Sequence, residues 1–152
     1  MARYLLNKCE YKKKGVKEVN QEKHIFICTH GCFGEELVKS AEMIAGKLED
    51  VHTFSLLPGM DPQDYMNLVE KQLKDMEYKT LAMVDLFGGT PCNTLAILSK
   101  NYPLEIISGL NLAMLIEVYS QKDNHTVEDL AHVALTTLEQ SGKDVLQVLN
   151  GK

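Results

Sequence analysis

Four short apolar runs constrain this chain more than any other feature. They are 24–29 (His-Ile-Phe-Ile-Cys-Thr), 51–56 (Val-His-Thr-Phe-Ser-Leu), 79–86 (Lys-Thr-Leu-Ala-Met-Val-Asp-Leu) and 104–108 (Leu-Glu-Ile-Ile-Ser). Runs this short and this apolar predict strands, and strands of this kind are buried on both faces. Helical patterns fill the gaps between them. Leu37, Ala41, Ile44 and Leu48 recur at helical spacing over 34–47. Asp61 followed by Pro62 predicts a capped helix start, running to about Glu77. Thr90 followed by Pro91 predicts another, over 91–100. Asn111 caps a helix to about Tyr119, and Thr126 caps one to about Gln140, which Gly142 ends. Residues 144–149 alternate loosely and predict a last strand. Strand and helix alternate four times, so the fold class is α/β. The expected form is an open, mostly parallel sheet of order 2-1-3-4, with helices on both faces and right-handed crossovers.

The 152 residues fit one domain. Charge is unevenly spread along them. Residues 1–23 carry a net +4, including Lys12-Lys13-Lys14, and residues 24–152 a net −9. The acidic body argues against nucleic acid as a partner, because phosphate contacts need clustered Lys and Arg. The expected organisation is a loosely ordered extension over 1–22 and one domain over 23–150. No apolar run approaches the ~18–20 residues of a membrane span. The first residues lack the apolar stretch of about 7–15 residues that a signal peptide needs. Four cysteines are too few for a disulfide scaffold. A cytoplasmic location with reduced thiols is expected.

In an open parallel sheet the ligand crevice lies beyond the carboxyl ends of the strands, where strand order reverses. For order 2-1-3-4 that point falls between the first and third strands, which end at His30 and Asp85. An Asp on one ring nitrogen fixes the His tautomer and leaves the other nitrogen free as a nucleophile. Gly88-Gly89-Thr90 follows at a helix start, where close backbone approach, first-turn N–H groups and the helix dipole favour an anion. Thr90 either caps that helix or donates its hydroxyl to the anion. Nucleophile, orienting acid and anion cradle together suggest phosphoryl transfer on histidine. No Walker lysine pattern is present. His24, His52, His125 and His132 read as structural or exposed. Cys28, His30, Cys32 and Cys92 raise a zinc reading, but zinc sites usually show tighter Cys-x2-Cys pairs. No metal is expected.

Thr29-His30-Gly31, Leu57-Pro58-Gly59, Asp85 to Asn93 and Gly109-Leu110-Asn111-Leu112 follow the four strands in order. Together they resemble the IIA component of the mannose–fructose–sorbose class of the bacterial phosphoenolpyruvate:sugar phosphotransferase system, over about 23–150. The resemblance implies that His30 accepts a phosphoryl group from the phosphocarrier protein HPr and passes it to a IIB component. It implies Asp85 as the histidine's partner and Thr90, after Gly88 and Gly89, as a phosphate-holding residue. It also implies no cofactor, indirect coupling to membrane IIC and IID components, and a homodimer whose C-terminal strand is exchanged to add antiparallel to the partner's sheet. Ala113 stands where the family often has Pro. A stand-alone IIA is expected, since the chain stops where some members continue into a IIB domain. Two alternatives to the sugar-uptake carrier are a signalling module read by its phosphorylation state and the related phosphotransferase subunit of dihydroxyacetone kinase.

Overall fold

The computed structural model of the chain describes residues 21–151. The expected extension over 1–22, with its lysine run, lies almost entirely outside the described residues. Strands β1 (Ile25–His30), β2 (Val51–Leu56), β3 (Thr80–Val84) and β4 (Leu104–Ser108) alternate with helices. The helices are α1 (Phe33–Ala45), α2 (Pro62–Leu73), α3 (Thr90–Leu98), α4 (Leu112–Gln121), α5 (Val127–Ser141) and α6 (Val145–Leu149). The sheet order is β2-β1-β3-β4, and every pairing is parallel. The expected order and layering are therefore what the chain adopts.

Strand periodicity builds two cores from one sheet. Ile25 and Ile27 of β1, with Leu81 and Met83 of β3, pack under α1, α4 and α5 through Ala41, Met114, Leu115, Val118 and Leu130. Phe26 and Cys28, with Ala82 and Val84, pack under α2 and α3 through Tyr65, Val69, Leu73 and Leu95. Both faces of the central strands are covered, which is why β1 and β3 read as unbroken apolar runs. The edge strands β2 and β4 are only partly covered and tolerate His52, Ser55 and Glu105.

Caps set the helix starts largely as expected. Asp61 accepts from the Gln63 N–H and Asn111 from the Met114 N–H. Thr126 and Asp129 form a reciprocal capping box. Helix α2 ends at Leu73, short of Glu77, because the chain turns there, the Met76 N–H bonding the Leu73 carbonyl. Met76 folds back onto the core. Helix α3 departs from expectation at its start. Gly89 occupies the cap position and Thr90 is the first helical residue, with no side chain capping the turn.

The C-terminal segment corrects the sequence reading. Residues 145–149 are a short helix, not a strand. Asp144 accepts from the Gln147 N–H, and the apolar positions of Val-Leu-Gln-Val-Leu also suit one helical turn. Val145, Leu146, Val148 and Leu149 stay largely exposed.

Helix α1 sits on β1 through Gly34. A Cβ there would lie 2.7 Å from Ile27 Cγ2 and 3.0 Å from Thr29 Oγ1, which accepts the Gly34 N–H at 2.9 Å. Gly34→Ala should lower stability by about 1–3 kcal/mol through overpacking, read as a lower urea midpoint with an unchanged slope. At the amino end of the sheet, burial first and the His24 ring second lower the pKa of His52, against a raising pull from Asp50. The folded protein then binds fewer protons than the unfolded chain around the ordinary imidazole value of about 6.5. Stability from this group is lost as pH falls through that window. Melting temperatures stepped from about pH 8 to about pH 5.5 should fall less steeply in His52→Gln than in the parent.

Candidate active site

Register brings the two chemically suggestive residues together. Cys28 of β1 pairs with Val84, the last residue of β3, so β1 runs two residues further and carries His30 past the end of β3 to the level of the loop that starts at Asp85. His30 closes β1 and Asp85 follows β3 directly. One carboxylate oxygen, Asp85 Oδ2, accepts twice: from the His30 backbone N–H at 2.9 Å and from His30 Nδ1 at 2.9 Å. The other, Oδ1, accepts from the Leu86 N–H at 2.8 Å. Both oxygens are therefore committed, and the carboxylate cannot rotate without losing a bond.

A carboxylate is an acceptor only, so Nδ1 is the protonated nitrogen of the neutral ring. The lone pair is on Nε2, and the imidazole is 43% exposed against 17% for the Asp85 side chain. The ring is therefore more open to solvent than the acid that orients it. Alongside it runs the loop from Leu86 to Thr90. Gly88 has φ +76°, which a side chain disfavours, and the Asn93 amide donates to its carbonyl at 2.9 Å. Gly89 packs against the imidazole itself. The first turn of α3 then presents its N–H groups and the Thr90 hydroxyl at the same end of the sheet. Asn93 carried no assigned role in the sequence. Its position four residues after Gly89, within reach of the loop it follows, was the available signal.

Turns from all four strand ends surround the site. The Gly31 N–H bonds the Leu56 carbonyl, and Ser55 Oγ donates to Glu35 Oε1 at 2.7 Å, tying α1 to β2. Phe33, Leu57, Leu86 and Phe87 are exposed there, Phe87 at 83%. The segments 30–38, 56–70, 85–99 and 108–121 contain no Lys or Arg, while Glu35, Glu36, Asp61, Asp64 and Asp85 lie within them. Among the described residues, these segments offer an anion a hydroxyl and backbone donors but no ammonium or guanidinium.

The zinc reading finds no support in the geometry. Cys28 is fully buried, and burial pushes its thiol up to about 12, so it is no thiolate ligand. Among the described residues, the group of three donors within 4.8 Å of one another is Glu22, His24 and Asp50, at the opposite end of the sheet. There the Lys122 ammonium sits 3.1 Å from Asp50 Oδ2, and His52 Nε2 lies 3.0 Å from His24 Nδ1. No helix among the described residues is long and apolar enough to cross a membrane.

The family model for the PTS system fructose IIA component, EIIA-man, matches residues 24–135. The chain belongs to this family. The EIIA assignment agrees with individual relatives. The chain is 30% identical over 133 residues to the mannose-specific EIIAB component of Escherichia coli, covering 84% of this chain and 40% of that protein. It thus spans well under half of that two-part relative. It is 30% identical over 120 residues to the fructose-specific EIIA component of Bacillus subtilis, covering 77% and 82%. Among solved structures, the EIIA component from Streptococcus agalactiae superposes with a TM-score of 0.77 at 31% identity, covering 81% of this chain and 97% of that one. The mannose/sorbose-specific IIA subunit from Enterococcus faecalis gives 0.75 at 30%, covering 82% and 96%.

Asp85→Asn tests the paired carboxylate. An amide has one acceptor, so either the two His30 donors or the Leu86 N–H must lose a partner, and the charge is lost in both cases. Any phosphoryl transfer onto His30 should slow by roughly 10²–10³-fold, the scale of removing a preorganised electrostatic partner, with the circular dichroism spectrum unchanged. Initial rates of phosphate incorporation at matched protein concentration read this directly.

Proposed function

We propose that this EIIA protein is a phosphoryl carrier of sugar uptake that takes a phosphoryl group from phospho-HPr on His30 Nε2 and delivers it to a IIB component. The observation that carries this reading is the double acceptance by Asp85 Oδ2, which leaves Nε2 as the only basic nitrogen of a half-exposed ring.

The Nε2 lone pair attacks phosphorus as the N–P bond of the donor phosphohistidine breaks, and the bonding pair returns to the donor's nitrogen. His30 then carries phosphate on Nε2 and a proton on Nδ1, so its ring is cationic. Asp85 faces that charge at 2.9 Å and stabilises it without taking the proton. Thr90 Oγ1 and the N–H groups of Gly88, Thr90 and Cys92 are the donors for the phosphoryl oxygens, since the Gly89 N–H is held by the Leu86 carbonyl and Pro91 has none. Transfer onward reverses these bonds at the IIB protein and returns the lone pair to Nε2. No metal or organic cofactor enters, since the group moves between imidazoles.

Neither ammonium nor guanidinium comes from the segments around His30. Positive charge for the transferring group then comes from outside those segments, and the donor and acceptor proteins can bring it. The exposed Phe33, Leu57, Leu86 and Phe87 give those proteins an apolar seat. The reading places the carrier in the cytoplasm, working with membrane IIC and IID components. A homodimer fits the unpaired outer edge of β4, with the exposed Leu135, Leu138 and α6 residues as the surface to be covered.

The deciding experiment combines the protein with phosphoenolpyruvate, Enzyme I and HPr, then maps phosphate by alkaline peptide analysis. One acid-labile phosphate on the His30 peptide is expected, dependent on HPr and absent from His30→Ala. Labelling of a folded His30→Ala protein, or no labelling of the parent by an active relay, overturns the proposal.

A further inference from the structure

Gly88 and Gly89 are adjacent but are glycine for different reasons. Gly88 has φ +76°, and a Cβ on it would meet nothing within 4 Å. Its backbone conformation is what excludes a side chain. Gly89 has φ −69° and ψ 168°, ordinary extended backbone for any residue. A Cβ there would lie 2.6 Å from His30 Cε1 and 3.3 Å from His30 Nε2. The imidazole, not the backbone, is what requires glycine at 89.

Something must yield if that space is filled, and the loop is the stiffer party. The Gly89 N–H bonds the Leu86 carbonyl at 3.2 Å, and the Gly89 carbonyl accepts from the Asn93 N–H at 2.9 Å. The Asn93 side-chain amide holds the Gly88 carbonyl at 2.9 Å. The ring, at the far end of a side chain, is free to swing, and swinging it breaks the 2.9 Å contact between Nδ1 and Asp85. The imidazole is thus held between two walls: Asp85 on its Nδ1 edge and the Gly89 backbone on its Cε1–Nε2 edge.

We infer that Gly89 and Asn93 are positioning residues that confine His30 to one orientation and so dictate which ring nitrogen is phosphorylated. Gly89 supplies a flat backbone wall, and Asn93 braces the turn that carries it. The tautomer part of this inference stands without the carrier reading. The choice of phosphorylated nitrogen rests on it.

The test begins on unphosphorylated protein, with the ring nitrogens of His30 observed by ¹⁵N NMR. The parent should be a single Nδ1–H tautomer. Gly89→Ala should give averaged ring shifts from a tautomer mixture at an unchanged fold. Asn93→Asp, isosteric but with no amide donor for the Gly88 carbonyl, should move the shifts in the same direction. In the phosphotransfer assay Gly89→Ala should slow labelling by about 10²-fold, the cost of misplacing a reacting group by ~1 Å, and yield some Nδ1-phosphohistidine beside the Nε2 isomer. A pure Nδ1–H tautomer in both variants, with labelling confined to Nε2 at the parent rate, overturns the inference. Should Gly89→Ala fail to fold, the ring shifts of Asn93→Asp decide alone. Should the parent resist phosphorylation, the carrier reading falls and the tautomer result still stands or fails by itself.

Discussion

The parallel register between β1 and β3 is the constraint on which the site depends. His30 and Asp85 belong to strands joined only through α1, β2 and α2, and the ladder that pairs Cys28 with Val84 sets their separation. A slip of one residue would move one strand end by about 3.3 Å and turn its side chains to the other face. Hydrogen-bond geometry tolerates only a few tenths of that. The same slip would bring Ile25 and Ile27 out of one core and Phe26 and Cys28 out of the other. The two cores thus hold the register, and the register makes the site, so apolar burial far from His30 determines the distance to Asp85.

Electrostatics at the site follow from what the strand ends carry. Asp85 favours a positive ring and disfavours phosphate, while the loop and first-turn N–H groups of α3 favour phosphate without a formal charge. A centre of this composition holds a phosphoryl group less tightly than an arginine clamp would.

Much of this was legible in the sequence because several physical signals coincided. The apolar runs gave the strands, Asp61, Asn111 and Thr126 gave helix starts, and topology then placed His30 beside Asp85 before any distance was known. The failures were local. Val-Leu-Gln-Val-Leu satisfies both a strand and one helical turn, and the cap at Asp144 settles the single chain on the helix. Thr90-Pro91 resembles a cap followed by N1, yet Gly89 takes the cap because its extended backbone already turns the chain into α3. The contact of Gly89 with the imidazole spans fifty-nine positions of sequence, and no local pattern encodes it. Asn93 was hidden for a related reason: its partner is a backbone carbonyl, which every residue has.

Phe87 is a large aromatic side chain held almost wholly in water, two residues after Asp85. The chain contains no tryptophan. Exchanging this ring for an indole would therefore place a single fluorophore at the mouth of the site, against a background silent in tryptophan emission. Its colour and intensity would follow the drying of that surface as another protein settles on it, so arrival could be timed separately from the chemistry it precedes.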